Sequence, residues 1–356
     1  MTSVQHVLPA GYVWSEPDWR TLTEAQLAEG LQLNNALTAE VLPDDPPGTL
    51  EDAVRNWKSI PQRMDRCLVR VHDDTGRLVA SGGFGLDPDN DDNPDLLFVG
   101  INVLAGHRRR GLGSVLLRRL VQLAADRGRT RLVSASNDGV PDGKLFAVAV
   151  GAQAKQANHL NHLPVADVDR ALLETWLAEG PGRAPGYALE GWDGACPEAD
   201  LAGFIDAVLV LNTAPRDDLE MNDFTLTPEL FREHEGQQEA IGMVSWTLVV
   251  RRLSDNSIAG MHDVFWHPSE PEFVWVGATG VRPEDRGHAI GKWLKAAMTL
   301  RVLDERPVVT SIRTGNADSN DAMLGINKAM GYRPLLGQTT WEISTADAAA
   351  WLASRG

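Results

Sequence analysis

Cysteine is scarce. Only Cys67 and Cys196 occur in 356 residues, at unrelated places in the two halves and without metal-ligand spacing. That excludes a disulfide framework or a thiolate metal cage; a reduced, cytoplasmic chain with two small buried thiols is the simple expectation. Long apolar runs are missing too. No stretch of about eighteen apolar residues exists, so no membrane-spanning helix is expected. The stretch 1–13 has no basic segment followed by an apolar one, which gives no sign of secretion. Basic residues are outnumbered, 33 Lys and Arg against 49 Asp and Glu, for a formal net charge of −16. A surface of that sign lacks the cationic footprint that nucleic-acid binding needs. It suits a cationic small molecule drawn in by the field, and it equally suits solubility alone. The acidic stretches 87–95 and 216–223 carry Asn, the first also Pro, and read as solvated loops, so no metal is expected.

The length fits two domains, each large enough to bury its own core. In the first half, helical spacing over 23–37, with Thr23 as N-cap, is followed by a second helix from 49. Strands at 67–72 and 78–86 flank the turn Asp73-Asp74-Thr75-Gly76, and a mostly apolar strand covers 96–104. An amphipathic helix at 113–127 and a strand at 131–136 come next. The second half repeats the order. Helices are expected at 198–211 and 228–239, the latter capped by Thr227, and strands at 243–251, 258–266 and 273–281. A helix at 289–303, a strand at 308–314 and a short helix at 320–330 follow, the last stopping at Gly331. Between the halves, 167–177 reads as helix and the Gly/Pro-rich 178–186 as a linker. The expected domains are therefore 1–178 and 187–356. Each is α+β (α/β), a mixed central sheet flanked by helices, because the early strands meet at a tight turn and run antiparallel. That excludes a doubly wound dinucleotide fold. The eleven tryptophans read mostly as core or pocket residues.

The most informative feature occurs twice. Arg108-Arg109-Arg110-Gly111-Leu112-Gly113 lies between an apolar strand and a helix, and so does Arg286-Gly287-His288-Ala289-Ile290-Gly291. Aligning Gly111 with Gly287 sets the two copies 176 positions apart. A glycine-rich turn that opens a helix presents unpaired backbone N–H groups, which suits a phosphate or pyrophosphate.

This arrangement resembles the GNAT superfamily of acyl-CoA-dependent N-acyltransferases, here as a tandem pair. The family's Q/R-x-x-G-x-G/A signature is met by Arg108, Gly111 and Gly113. In the second half Gly287 and Ala289 match, with Glu284 in the place of the Gln or Arg. The looser V-x-P-x-x-R-G form is met by Val281, Pro283, Arg286 and Gly287, where the first half has Ala105 and His107 in the Val and Pro positions. Further on, Asn316 and Asn320 open a helix that Gly331-Tyr332 closes, as in family members whose Asn helps hold the CoA arm. Both asparagines read equally as plain helix caps. The family often places an acidic Tyr one turn before the closing glycine; here Asn327 stands there, and Ala147 in the first half. An amide cannot donate a proton as a general acid, though it can hydrogen-bond sulfur.

The resemblance implies transfer of an acyl group, most simply acetyl from acetyl-CoA, to a primary amine of a small molecule, with the chemistry in the second half. The expected pyrophosphate cradle there is Arg286, Gly287, His288, Ala289, Ile290, Gly291 and Lys292. Thr279, Gly280 and Val281 would offer backbone N–H groups to the thioester carbonyl. The first-half cradle is Val103, Arg108, Arg109, Arg110, Gly111, Leu112, Gly113 and Ser114. Many family members carry a carboxylate base in the fourth strand, and 273–281 has none. Asp263 and Glu272 are the nearest candidates, beside His262 and His267. The alternatives are an acyl-CoA-binding regulatory protein with one or both pockets degenerate, or an interaction module using the fold alone. A monomer or a homodimer is expected.

Overall fold

The computed structural model describes residues 8–355; residues 1–7 of the stretch 1–13 lie outside the described residues. Two compact units form. The first comprises 8–157, 217–222 and 336–355, the second 158–216 and 223–335.

The elements in chain order are β1 (Tyr12–Ser15), α1 (Glu24–Val41), α2 (Leu50–Lys58), β2 (Asp65–Asp73), β3 (Leu78–Leu86), β4 (Leu96–Phe98) and β5 (Gly100–Val103). Then come α3 (Leu112–Asp126), β6 (Arg131–Asn137), α4 (Pro141–Val150), β7 (Gln153–Pro164) and α5 (Arg170–Arg183). The order restarts with β8 (Tyr187–Asp193), α6 (Leu201–Leu209), α7 (Pro228–Ala240), β9 (Val244–Arg252), β10 (Ile258–Trp266) and β11 (Phe273–Val281). It closes with α8 (Ile290–Glu305), β12 (Ser311–Ala317), α9 (Asp321–Met330), β13 (Arg333–Ser344) and α10 (Thr345–Ala353).

Both units are mixed sheets flanked by helices. In the first, β1, β2, β3 and β5 pair antiparallel in that order, while β4 pairs parallel with β6, which pairs antiparallel with the 338–344 part of β13. In the second, β8, β9, β10 and β11 are antiparallel, β12 is parallel to β11, and the 158–164 part of β7 is antiparallel to β12. Local chemistry accounts for the element ends. Thr23 accepts from the Gln26 amide while the Gln26 side chain accepts from the Thr23 amide, a reciprocal cap that starts α1. Thr227 caps α7 in the simpler way.

Two expectations are corrected. The strands β1, β7, β8 and β13 lie outside the expected set, and β7 and β13 are where the chain passes between units. The stretch expected as a linker, 178–186, is helical as far as Arg183, with Pro181 inside the helix. Gly180 is buried there, and a Cβ on it would lie 2.5 Å from the Trp293 ring. Its glycine serves helix-to-helix approach rather than flexibility, so the units divide at 157/158 and 335/336 instead of near 180.

Each unit has its own core. In the first, Leu117, Leu120 and Leu123 of α3 pack with Leu132, Ile343 and Leu352, so α10 finishes this core. In the second, Val264, Val274, Met298 and Ile312 pack with Leu163 and Leu173. A fully buried Leu of this kind contributes roughly 1.5–3 kcal/mol. Cys196 is buried and Cys67 partly so; burial pushes their thiols up to about 12 and about 11, which keeps both unreactive.

Candidate active site

In each unit one strand changes partner halfway. In the first, Leu96–Phe98 pair with β6, whereas Gly100–Val103 pair only with β3. In the second, Phe273, Val274 and Trp275 pair with Ser311, Ile312 and Arg313, and the rest of β11 pairs only with β10. The partners part into a wedge whose open end leads to the glycine turn. Backbone groups along the parted edge are available to an extended ligand.

The turns superpose in backbone conformation, and they correct the sequence register. Positive φ occurs at Arg109 (62°) and Gly111 (87°) in one and at Gly287 (86°) and Ala289 (59°) in the other. Arg108 Nε donates to the Val103 carbonyl (3.0 Å), and Arg286 Nε donates to the Val281 carbonyl (3.2 Å). The helices begin at Leu112 and Ile290. Arg108 therefore answers Arg286, 178 positions on, and Gly111 answers Ala289 rather than Gly287. In this register the second copy keeps the arginine of the family signature, and Val103 stands where Val281 does. Neither Gly111 nor Ala289 has a side chain that caps its helix, which leaves the helix start open in the way that suits an anion.

A cleft of about 450 Å³ opens beside the first turn. Ile101, Asn102 and Val103 line one wall, Ala135, Ser136 and Asn137 the other, and Arg108, Arg109 and Gly111 to Ser114 form its rim. Phe146, Trp351 and Arg355 extend the surface beyond the rim. The size and the mixed apolar and amide-bearing walls fit a narrow, flexible ligand arm with an anionic end. Arg108 itself is neutralised by Glu40, with Nη1 to Oε1 at 2.6 Å. Among the described residues Arg286 has no such partner; its Nη2 donates to the Thr213 hydroxyl (2.9 Å).

The second wedge is lined differently. Asp263 lies at a β-bulge in the β10–β11 pair, where its Oδ1 accepts from the Ala278 amide (2.8 Å). A Cβ on Gly277 would collide with this carboxylate at 2.1 Å, so glycine there makes room for it. Burial raises the Asp263 carboxyl to about 6, the Ala278 amide working against the shift. On the other face, His262 Nδ1 meets the Thr279 hydroxyl (2.8 Å) and is fully buried. Burial and the nearby Lys295 charge hold that imidazole neutral, well below its ordinary range. Lys295 of α8 is 1% exposed and makes no hydrogen bond among the described residues; its ammonium stands 5.5 Å from the Tyr332 ring centre. Burial lowers it to about 8. A cation–π contact returns about 0.5–2 kcal/mol, less than the several kcal/mol lost by removing an ammonium from water. This lysine is therefore not explained by stability.

The expected residues divide accordingly. Asp263, Thr279, Gly280, Val281 and the turn from Arg286 to Gly291 meet at one wedge. Asn316 accepts from Asn327 Nδ2 (2.8 Å), which joins β12 to α9 beside it, and Asn327 Oδ1 is buried without a partner. Asn320 is a helix cap, accepting from the Met323 amide (3.2 Å). Glu272 sits at the paired end of β11, away from the opening. Lys292 is drawn to the Trp176 ring (5.0 Å) instead of the cradle, and His288 lies against Tyr187. His267 bonds Ser269 and the Ile241 carbonyl beyond the end of β10. Sequence reasoning missed Lys295, whose signal was a charge among Trp293, Leu294, Ala296 and Met298. It also missed Trp351 and Arg355, which reach the first cleft through the returning chain end. Among the described residues no cluster suited to a metal ion occurs, and no helix is long and apolar enough to cross a membrane.

Residues 31–142 match the model of the Acetyltransferase (GNAT) family. No curated protein sequence matches the chain. Among solved structures, a tandem GNAT protein from the clavulanic acid biosynthesis pathway is similar at 24% identity and TM-score 0.74, over 94% of this chain and 98% of that one. A GCN5-related N-acetyltransferase from Sphaerobacter thermophilus is similar at 15% identity and TM-score 0.69, over 95% and 97%.

Proposed function

We propose, for a chain that carries a GNAT acetyltransferase domain and folds as a tandem GNAT protein, the transfer of an acyl group from a CoA thioester to a primary amine of a small molecule. Acetyl is the simplest acyl group, and the charge of −16 favours a cationic amine. The chemistry belongs to the second unit. The observation that carries this is a half-buried carboxylate, Asp263, at the bulge where β11 leaves β12.

An ammonium has no lone pair, so attack needs a base that is itself deprotonated near neutrality. Asp263 meets that need with its carboxyl raised to about 6. Unpaired N–H groups along Thr279 to Val281 would polarise the thioester carbonyl. The Arg286 guanidinium and the first-turn amides of α8 would hold the diphosphate. The thioester supplies an activated acyl carbon.

The first unit favours acyl-CoA binding without transfer. Gly83 and Ala147 stand there in the places of Asp263 and Asn327, so neither of those two positions offers a carboxylate or an amide to its open cleft. The test is calorimetry with acetyl-CoA beside thiol release over a panel of amines: amino sugars, polyamines, amino antibiotics and peptide N-termini. Thiol release with at least one amine is expected. Tight binding with no release from any of them would make the whole protein a binder.

A further inference from the structure

Asn327 cannot protonate a leaving thiolate, which leaves the acyl transfer proposed above without an acid. The second wedge holds one unassigned proton donor. We propose that Lys295 is that donor: its ammonium proton passes to the CoA sulfur as the C–S bond breaks.

Placement supports the assignment. His262 and Asp263 are neighbours on β10 and project to opposite faces of the sheet. Asp263 meets the backbone of β11 at Ala278, whereas His262 faces Thr279 on the side covered by α8. Lys295 projects from α8 onto that second side, close enough for its charge to act on His262 and over the ring of Tyr332, which follows α9. His262 on β10 and Tyr332 before β13 lie on either side of the strands that part, and the ammonium lies near both. Base and acid thus address one opening from its two faces. The side chains that titrate around Lys295 are His262, held neutral, and Tyr332, whose phenol burial pushes up; neither gives up a proton near neutrality as readily. Asn327 Oδ1 is buried there without a partner, and Lys295 is 1% exposed. In the first unit the matching positions are Leu117, Gly82, Ala152 and Ala147, and the donor is absent together with the base.

The step balances. The amine lone pair forms the C–N bond and the amine proton goes to Asp263. The C–S electron pair stays on sulfur and takes the Lys295 proton. Solvent then returns a proton to the lysine as Asp263 releases one. A free thiol titrates near 8.5, close to a buried lysine near 8, which matches donor to acceptor.

The test uses the full chain as wild type, Lys295→Met and the double variant Lys295→Met with Asn327→Tyr. Lys295→Met should lower kcat by ~10²-fold and abolish the alkaline limb of the pH profile. Acetyl-CoA affinity should change by less than about threefold, and Tm should rise, because an unpaired buried charge is gone. The double variant should regain part of the rate through a phenol on α9. Unchanged kcat in Lys295→Met, or a lowered Tm with matching loss of CoA binding, would overturn the assignment. A wild type that releases no CoA with any amine overturns the acyl-transfer reading itself, whatever the variants do.

Discussion

Beneath each glycine turn the two units use one anchor with its acidic and basic side chains interchanged. In the first, Tyr12 Oη bonds His107 Nδ1 (3.0 Å) and Asp73 faces the same imidazole at 3.9 Å. In the second, Tyr187 donates to Asp285 (2.6 Å), which also accepts from Arg252 (2.7 Å). The tyrosine stays, while acid and base exchange places between hairpin and turn. Such a swap keeps the turn's position and frees its surroundings to diverge. They have diverged at the floor of the wedge. Leu117 and Gly82 leave the first open and apolar, whereas Lys295 and His262 make the second polar and titratable. On the proposed reading, a shared backbone with exchanged side chains is what would separate holding an acyl donor from spending it.

The sharpest way to break this contrast is at the base. Asp263→Asn should reduce kcat by about 10²–10⁴-fold and remove the acid limb near pH 6, as read by steady-state thiol release. The sign for stability is the reverse. The folded carboxyl lies above its ordinary 3.8, so its contribution is full below that value and lost as pH rises through about 6. Asp263→Asn should therefore melt higher than wild type at pH 7. The reciprocal change is closed to the first unit: a Cβ at Gly83 would lie 2.3 Å from the Cys67 carbonyl oxygen, so a carboxylate cannot be installed without moving the β2–β3 pair. An active Asp263→Asn enzyme would move the chemistry elsewhere.

Next in size is the turn. Gly287→Val forces a β-branched residue to φ near 86° and should abolish most acyl transfer, at a cost of roughly 1–3 kcal/mol in local backbone strain. Gly111→Val should impose similar strain yet affect only acetyl-CoA binding to the first unit. If Gly111→Val loses activity while Gly287→Val keeps it, the roles of the units are reversed.

Much of this was legible in the residues. Apolar strands, hairpin turns and caps such as Thr23 are local, and they lie where period and capping chemistry place them. The last strand of each repeat was not. Gln153–Pro164 and Arg333–Ser344 are rich in polar side chains, and neighbouring strands rather than their own pattern make them strands. Composition likewise misread Gly180 and Pro181, because a glycine that admits Trp293 looks the same as one that frees a linker. The register slipped by two positions because identity was matched glycine to glycine, whereas the fold matches left-handed backbone to left-handed backbone. Asp263 was legible as a nearby carboxylate; its bulge and its burial were not.

That last correction supplies the smallest and most specific comparison. Each turn has two left-handed positions, and each copy fills only one with glycine: Arg109 with Gly111, Gly287 with Ala289. A non-glycine residue there costs about 1–2 kcal/mol, partly offset because glycine loses more freedom on folding. Ala289→Gly should therefore raise stability by roughly 0.5–1 kcal/mol, a small upward shift in Tm, with acetyl-CoA affinity unchanged, since a methyl group is lost and no donor. Arg109→Gly relieves the same strain in the first unit but removes a cation from the rim of its cleft, so Tm should rise while affinity falls. A loss of affinity in Arg109→Gly beside none in Ala289→Gly would show that Arg109 is kept for the anion. Equal responses would mean that the rim arginine does nothing for binding and that the two turns differ only by drift.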